Sequence, residues 1–135
     1  MDDLDRKILR VLQEDGRLSF TKIAERIGTT TATVSERVRK LQNSGIIKGY
    51  TALLDTRKLG MVTLIAMVRT RSEYSTLELG EKIAKMDEVC CVHSITGDYD
   101  LLVSLKCFGN EECSIIIEKM KKIEGIERID TYLVL

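Results

Sequence analysis

No run of this chain approaches the roughly 20 consecutive apolar residues that a membrane-spanning helix needs. The opening Met1-Asp2-Asp3 lacks the basic n-region of a secretory signal. A cytoplasmic protein is therefore expected. Histidine occurs once, as His93, and no Ser/His/Asp or Cys/His set lies close in sequence. The acid–base groups that hydrolytic and nucleophilic enzymes recruit are thus missing, which argues against an enzyme. Cysteine occurs four times, as Cys90, Cys91, Cys107 and Cys113, with no C-x-x-C pair. That spacing argues against zinc, and no metal site or cofactor is expected. Buried, reduced thiols are the expected state, with redox sensing by Cys90 or Cys91 as the alternative. His93 alternates with Cys91 and Ile95 and is expected to face packing rather than a ligand.

Net charge is also absent, since 21 Lys and Arg balance 21 Asp and Glu. The two halves nevertheless differ in sign. Residues 1–60 carry 12 basic and 8 acidic side chains, a balance of +4; residues 61–135 carry 9 and 13, a balance of −4. A basic front half joined to an acidic rear half suits a nucleic-acid-binding module attached to one that does not bind nucleic acid. With 44% hydrophobic and 31% charged residues the chain falls in the soluble globular class, and 135 residues allow one ordinary domain or two small ones.

The front half reads as three helices. Leu4, Ile8, Val11 and Leu12 fall at helical spacing, with Asp2 or Asp3 as cap and Asp15-Gly16 as stop. Ser19 caps a second helix over Phe20 to Ile27, whose inward stripe is Phe20, Ile23, Ala24 and Ile27. Gly28 supplies the sharp turn. The third helix spans Thr31 to Asn43. Val34, Val38 and Leu41, four and three apart, form its buried edge. Opposite lie Ala32, Glu36, Arg39 and Asn43, with Thr33, Ser35, Arg37 and Lys40 on the flanks. This is the order of a helix-turn-helix, which sets its second helix in the DNA major groove. Double-stranded DNA is the expected partner. Thr31, Ala32, Thr33, Ser35 and Glu36 are placed toward bases: threonine and alanine methyls can meet thymine, and Glu36 can accept from cytosine N4. Arg37, Arg39 and Lys40 are expected to meet phosphate or guanine. A solvated charged helix face is the bland alternative. Ile46 to Leu54 then reads as a strand, the wing of a winged helix-turn-helix. Residues 55–60 are polar, end in glycine and read as a hinge.

The rear half reads β-α-β-β-α-β, the ferredoxin-like split unit. Strands are expected over Val62–Val68, Val89–Thr96, Leu101–Phe108 and Ile126–Leu135. One helix opens at Ser75-Thr-Leu-Glu78, a capping-box spacing, and Asn110 is expected to cap the other. Gly80 inside the first helix has no reason visible in the sequence. Gly97-Asp98-Tyr99 is a turn. This order puts both helices on one sheet face, yet the first and third strands are apolar at both parities, as in Leu64-Ile65-Ala66-Met67. A sheet apolar on both sides must cover both, so a second copy, sheet on sheet, is the expected cover.

In combination, several motifs resemble those of the Lrp/AsnC (leucine-responsive, feast/famine) regulators: Leu4-Asp5-Arg6-Lys7-Ile8-Leu9, Val34 to Leu41, Gly45-Ile46-Ile47 with Lys48 to Ala52, and Thr96-Gly97-Asp98-Tyr99-Asp100. The last resembles the signature turn of that family's ligand-sensing RAM domain. The resemblance implies a sequence-specific transcription regulator with a winged helix-turn-helix over 1–54, a hinge over 55–60 and a RAM domain over 61–135. It implies a homodimer, often assembling further to an octamer, with small effectors such as amino acids bound between dimers. Gly97, Asp98, Tyr99 and Asp100 become the candidate effector residues, although Gly-Asp is equally a good hairpin turn. Thr29-Thr30-Thr31 stands where the family often has Leu-Ser or Ile-Ser, which leaves the operator open. Two other readings carry different chemistry. One is an architectural DNA-coating protein; the other is an enzyme like the siroheme decarboxylases, which resemble this family in fold.

Overall fold

The computed structural model describes residues 1–135. They divide into two compact units, Met1–Leu53 and Leu54–Leu135. The first holds α1 (Asp3–Glu14), α2 (Phe20–Ile27) and α3 (Thr31–Asn43). Each begins with a side-chain cap that satisfies an orphan backbone N–H. In α1 the cap is reciprocal: Asp2 Oδ1 accepts from Asp5 N–H at 2.9 Å and Asp5 Oδ2 from Asp2 N–H at 3.0 Å. Ser19 caps α2 and Thr30 caps α3, with oxygen-to-nitrogen distances of 3.2 Å each. Gly28 closes α2 at φ 74°, in the left-handed region that turns the chain into α3. Ile8, Val11, Ile23, Ala24, Val34 and Val38 are buried together, and Leu4, Leu12, Leu18, Ile27 and Ile47 pack on them. Burial of each large aliphatic side chain contributes about 1.5–3 kcal/mol.

The strand expected over Ile46–Leu54 does not form. A strand needs a ladder partner, and the rest of this unit is helical. Ile47 instead donates its N–H to Leu41 O at 3.0 Å and packs on the helical core. Tyr50 lies beside Gly16 at the end of α1. The fold is a helix-turn-helix without an in-chain wing.

The second unit is a four-stranded antiparallel sheet in the order β2-β3-β1-β4, where β1 is Met61–Thr70, β2 Val89–Ser94, β3 Leu101–Phe108 and β4 Ile126–Leu133. With α4 (Thr76–Ala84) and α5 (Gly109–Lys121) it is the ferredoxin-like βαββαβ arrangement. Ala66, Val68, Leu101, Val103, Leu105 and Cys107 form the covered face, closed by Ile83, Cys113, Ile116 and Met120 from the helices. The register puts Ile65, Met67, Leu102 and Tyr132 on the opposite face, which no element of this unit covers.

Gly80 now has its reason. A Cβ there would lie 3.4 Å from Leu101 Cδ2 and 3.6 Å from Val92 Cγ1, so glycine lets the α4 backbone sit close on the sheet. Asn110 is not the cap of α5. The helix starts earlier, with Phe108 at the cap position and its N–H donated to Glu112 Oε2. The cysteines also differ from expectation. Cys107 and Cys113 are buried but disulfide-bonded, because the end of β3 and the start of the second turn of α5 bring their Cα atoms to 5.4 Å, within bonding range. Cys90 and Cys91 are exposed rather than buried, since β2 is an edge strand and its register slips between Val89 and Cys91. His93 is likewise exposed: pairing with Leu102 turns it to the uncovered face instead of into packing.

Gly125, at φ 100°, is the least replaceable glycine, because a Cβ would meet Tyr74 Cγ at 2.7 Å. Gly125→Ala should cost about 3 kcal/mol, from strain at positive φ and overpacking together. Urea unfolding of the full chain measures this; a loss below about 0.5 kcal/mol, the ordinary surface range, would mean Tyr74 swings clear.

Candidate functional site

The first site is the outer side of α3. Burial of Val34, Val38 and Leu41 turns Thr31, Ala32, Ser35, Glu36, Arg39 and Lys40 to solvent and leaves Thr33 half-buried. Thr30 and Thr33 hydroxyls lie 2.8 Å apart, and Thr31 Oγ1 donates to Thr21 Oγ1 at 3.4 Å. The start of α2 therefore lies against the start of α3. This contact adds Thr21 and the neighbouring Lys22, both exposed, to the candidate DNA surface. The Ser19 cap signal placed them in a helical first turn, but a contact across ten residues has no local signal.

The cations of α3 differ in their freedom. Arg39 has no ion-pair partner, whereas Lys40 Nζ lies 2.8 Å from Glu36 Oε1. The Lys40 contact, and then the charges of Lys40, Arg39 and Arg37, hold the Glu36 carboxyl below its usual range. Such an exposed i,i+4 pair is weak in water, so phosphate can compete for Lys40. Arg37, expected at phosphate or guanine, is turned elsewhere. Its Nη1 donates to Asp2 Oδ2 at 2.5 Å and to Asp5 Oδ1 at 3.2 Å. Its position beside the buried Val38 aims it at α1 rather than outward.

The Asp5 N–H and then Arg37 lower the Asp2 pKa from 3.8 to about 2. A lowered folded-state pKa means stability that is present above the unfolded value and lost as pH falls through the folded one. Amide exchange over α1–α3 should accelerate as pH falls from about 4 to 2, after correction for intrinsic exchange, and less so in Asp2→Asn. Equal acceleration in both would remove Asp2 as the titrating group.

The second site is the turn after β2, and the structure divides the four candidate residues. Gly97 sits at φ 124° in an exposed turn. The Asp98 carboxylate is exposed and makes no hydrogen bond or ion pair within the chain. Tyr99 and Asp100 are engaged instead. The Tyr99 hydroxyl donates to Asp130, whose carboxylate also accepts from Arg128 Nε at 3.1 Å and lies 2.7 Å from its Nη2. These contacts, Tyr99 first, hold Asp130 below its usual range, while the carboxylate raises the Tyr99 phenol. Asp100 Oδ2 accepts from Thr70 N–H at 2.8 Å and from Thr70 Oγ1 at 3.1 Å. Its backbone N–H donates to Val68 O at 2.9 Å. Asp100 is thus the staple that fastens the turn to β1, and Gly97 and Asp98 are the members that stay exposed and unengaged.

Asp100→Ala should cost about 1–3 kcal/mol, because the half-buried Thr70 donors lose their acceptor. Asp98→Ala should stay within about 0.5 kcal/mol of the parent. Thermal unfolding of the two variants checks the division, and equal losses would refute it.

Known proteins share both parts of this arrangement. A family model described as the AsnC-type helix-turn-helix domain matches residues 1–42, and one described as the Lrp/AsnC ligand binding domain matches residues 63–135. The chain is 35% identical to the HTH-type transcriptional regulator FL11 of Pyrococcus horikoshii, covering 100% of this chain and 89% of that one. It is also 35% identical to an uncharacterized HTH-type transcriptional regulator of Pyrococcus furiosus, covering 100% and 91%. Among solved structures, E. coli AsnC superposes with a TM-score of 0.78 at 27% identity, covering 100% and 92%. A transcriptional regulator of Neisseria meningitidis in complex with L-Met superposes with a TM-score of 0.83 at 26% identity, covering 100% and 90%. The chain belongs to the Lrp/AsnC family: it is a transcriptional regulator with an AsnC-type helix-turn-helix for DNA and a ligand-binding domain behind it.

Proposed function

We propose that this regulator reads a specific DNA sequence through α3 and is modulated by a small effector, such as an amino acid, at the turn Gly97–Asp98. The observation that carries the DNA reading is the exposed first half of α3, held by three buried side chains and a threonine-capped start. Thr31, Ala32, Thr33, Ser35 and Glu36 stand where the early residues of a recognition helix reach base edges. Arg39 and Lys40 supply phosphate contacts, which fix register without carrying sequence information. For the effector, the unpaired Asp98 carboxylate supports recognition of an α-ammonium group, and glycine at 97 lets backbone approach a ligand closely. The L-Met complex of the Neisseria protein favours the same chemical class.

The functional division follows as residues 1–54 for DNA, 55–60 as hinge, and 61–135 for effector and assembly. The uncovered sheet face, with Ile65, Met67, Leu102 and Tyr132, supports a sheet-on-sheet homodimer, and the family resemblance extends this to an octamer. Two recognition helices would then read two half-sites about one helical turn, or a multiple, apart. A regulator of this kind acts in the cytoplasm.

Selection of the purified protein on random duplex DNA near physiological salt should enrich an inverted repeat. Binding without enrichment would replace this reading with an architectural DNA-coating role. On the selected site, Asp98→Ala should retain binding but lose its response to a mixture of the amino acids. A parental response would place the effector elsewhere.

A further inference from the structure

We infer that Arg37 governs DNA recognition without touching DNA: clamped by Asp2 and Asp5, it sets the rotation of the recognition helix about its own axis. The inference rests on the DNA reading above and concerns what aims the helix once it is there.

Val34, Val38 and Leu41 hold α3 against the core, but apolar burial is non-directional. A stripe of aliphatic side chains resists removal from the core more than it resists small rotations. A charge-assisted hydrogen bond is directional and short. Arg37 supplies that kind of contact on the flank of the stripe, one residue before the fully buried Val38. One nitrogen, Nη1, reaches both carboxylates, at 2.5 and 3.2 Å.

The acceptors are organised before Arg37 arrives. Asp2 and Asp5 exchange backbone hydrogen bonds across the first turn of α1, so neither carboxylate is free to follow a moving guanidinium. Asp5 is only 8% exposed and is the one buried charged residue of the chain. Two neighbouring carboxylates repel, and Arg37 is the cation that lies between them. Rotation of α3 would separate Arg37 from both and leave Asp5 desolvated without its partner, which is costly. The clamp therefore favours one rotation of α3, and with it one aim for Thr33, Ser35 and Glu36.

Simple electrostatics predicts the opposite for the acidic members. Removing a negative charge beside a DNA-binding helix should tighten binding. The clamp predicts weaker and less selective binding. Affinities of the parent, Arg37→Gln, Arg39→Gln, Asp2→Asn and the double variant Asp2→Asn/Arg37→Gln on the selected site and on random duplex, over a salt series, separate the two.

Arg37→Gln should lose at least about tenfold on the selected site, as expected for one charge-assisted hydrogen bond, with a smaller loss on random duplex and an unchanged salt slope. Arg39→Gln should lower the slope by about 1 on both, the mark of a phosphate contact. Asp2→Asn should also lose selectivity, and the double variant should lose little more than Arg37→Gln. A slope reduced by about 1 in Arg37→Gln, with tighter binding by Asp2→Asn, would overturn the clamp and make Arg37 a phosphate ligand. Amide exchange in the free proteins reads the clamp without DNA. Faster exchange across Val34–Leu41 in both Arg37→Gln and Asp2→Asn supports it, and parental exchange in both overturns it. Failure of the parent to bind any duplex would instead sink the DNA reading, while the exchange arm still decides the clamp.

Discussion

Burial of one side of each element is the constraint on which both units rest. In α3 the buried side is Val34, Val38 and Leu41; in the sheet it is the face carrying Ala66, Val68, Leu101, Val103, Leu105 and Cys107. Each unit has enough apolar surface to close one such core. Whatever lies on the opposite side is turned to solvent by the same geometry: the threonines, serine and glutamate of the recognition helix in one unit, and Ile65, Met67 and Leu102 in the other. The exposed side of α3 and the uncovered face of the sheet are thus both by-products of where the core is.

Polar contacts then fix what apolar burial leaves loose. Caps at Asp2, Ser19, Thr30 and Ser75 start four of the five helices at defined residues. Arg37 ties α3 to the capped start of α1, and Asp100 ties the turn after β2 to Thr70 at the end of β1. Both tethers join elements about 30 residues apart, at separations of 32, 35 and 30. They have the same logic: a charged side chain holds its own stretch of chain against a distant element. In the turn the exposed neighbour is Asp98, next to the engaged Tyr99 and Asp100; in the helix it is Glu36, next to Arg37.

Charge count is therefore a poor guide to binding surface in this chain. Three cations crowd the second half of α3, yet Arg37 faces two aspartates, Lys40 leans on Glu36, and Arg39 alone is unpaired. The exposed pair exchanges easily for a phosphate, because water screens it on every side. The Arg37 contacts do not exchange so easily, because Asp5 would be left buried without a cation.

Local patterns in the sequence determined most of the elements. Apolar spacing near 3.6 residues located the three N-terminal helices, apolar runs between turn signals gave the β-α-β-β-α-β order, and Asp2, Ser19 and Ser75 before apolar stripes marked helix starts, because caps and stripes act within a turn or two. The failures share a cause. Ile46–Leu54 has strand composition but no partner strand in its unit, so its ladder never forms. Cys90, Cys91 and His93 read as packing residues but lie on an edge strand, and edge position is a property of strand order. Asn110 looked like a cap, but the fold starts α5 at Gly109, beside a disulfide that only the docking of α5 on β3 makes reachable. The residue types able to serve a DNA site and a ligand turn were legible locally. Which of Arg37, Arg39, Asp98 and Asp100 stay free was decided by tertiary structure, because the groups that engage these side chains are distant in sequence: Asp2 lies 35 residues from Arg37, and Thr70 lies 30 residues from Asp100.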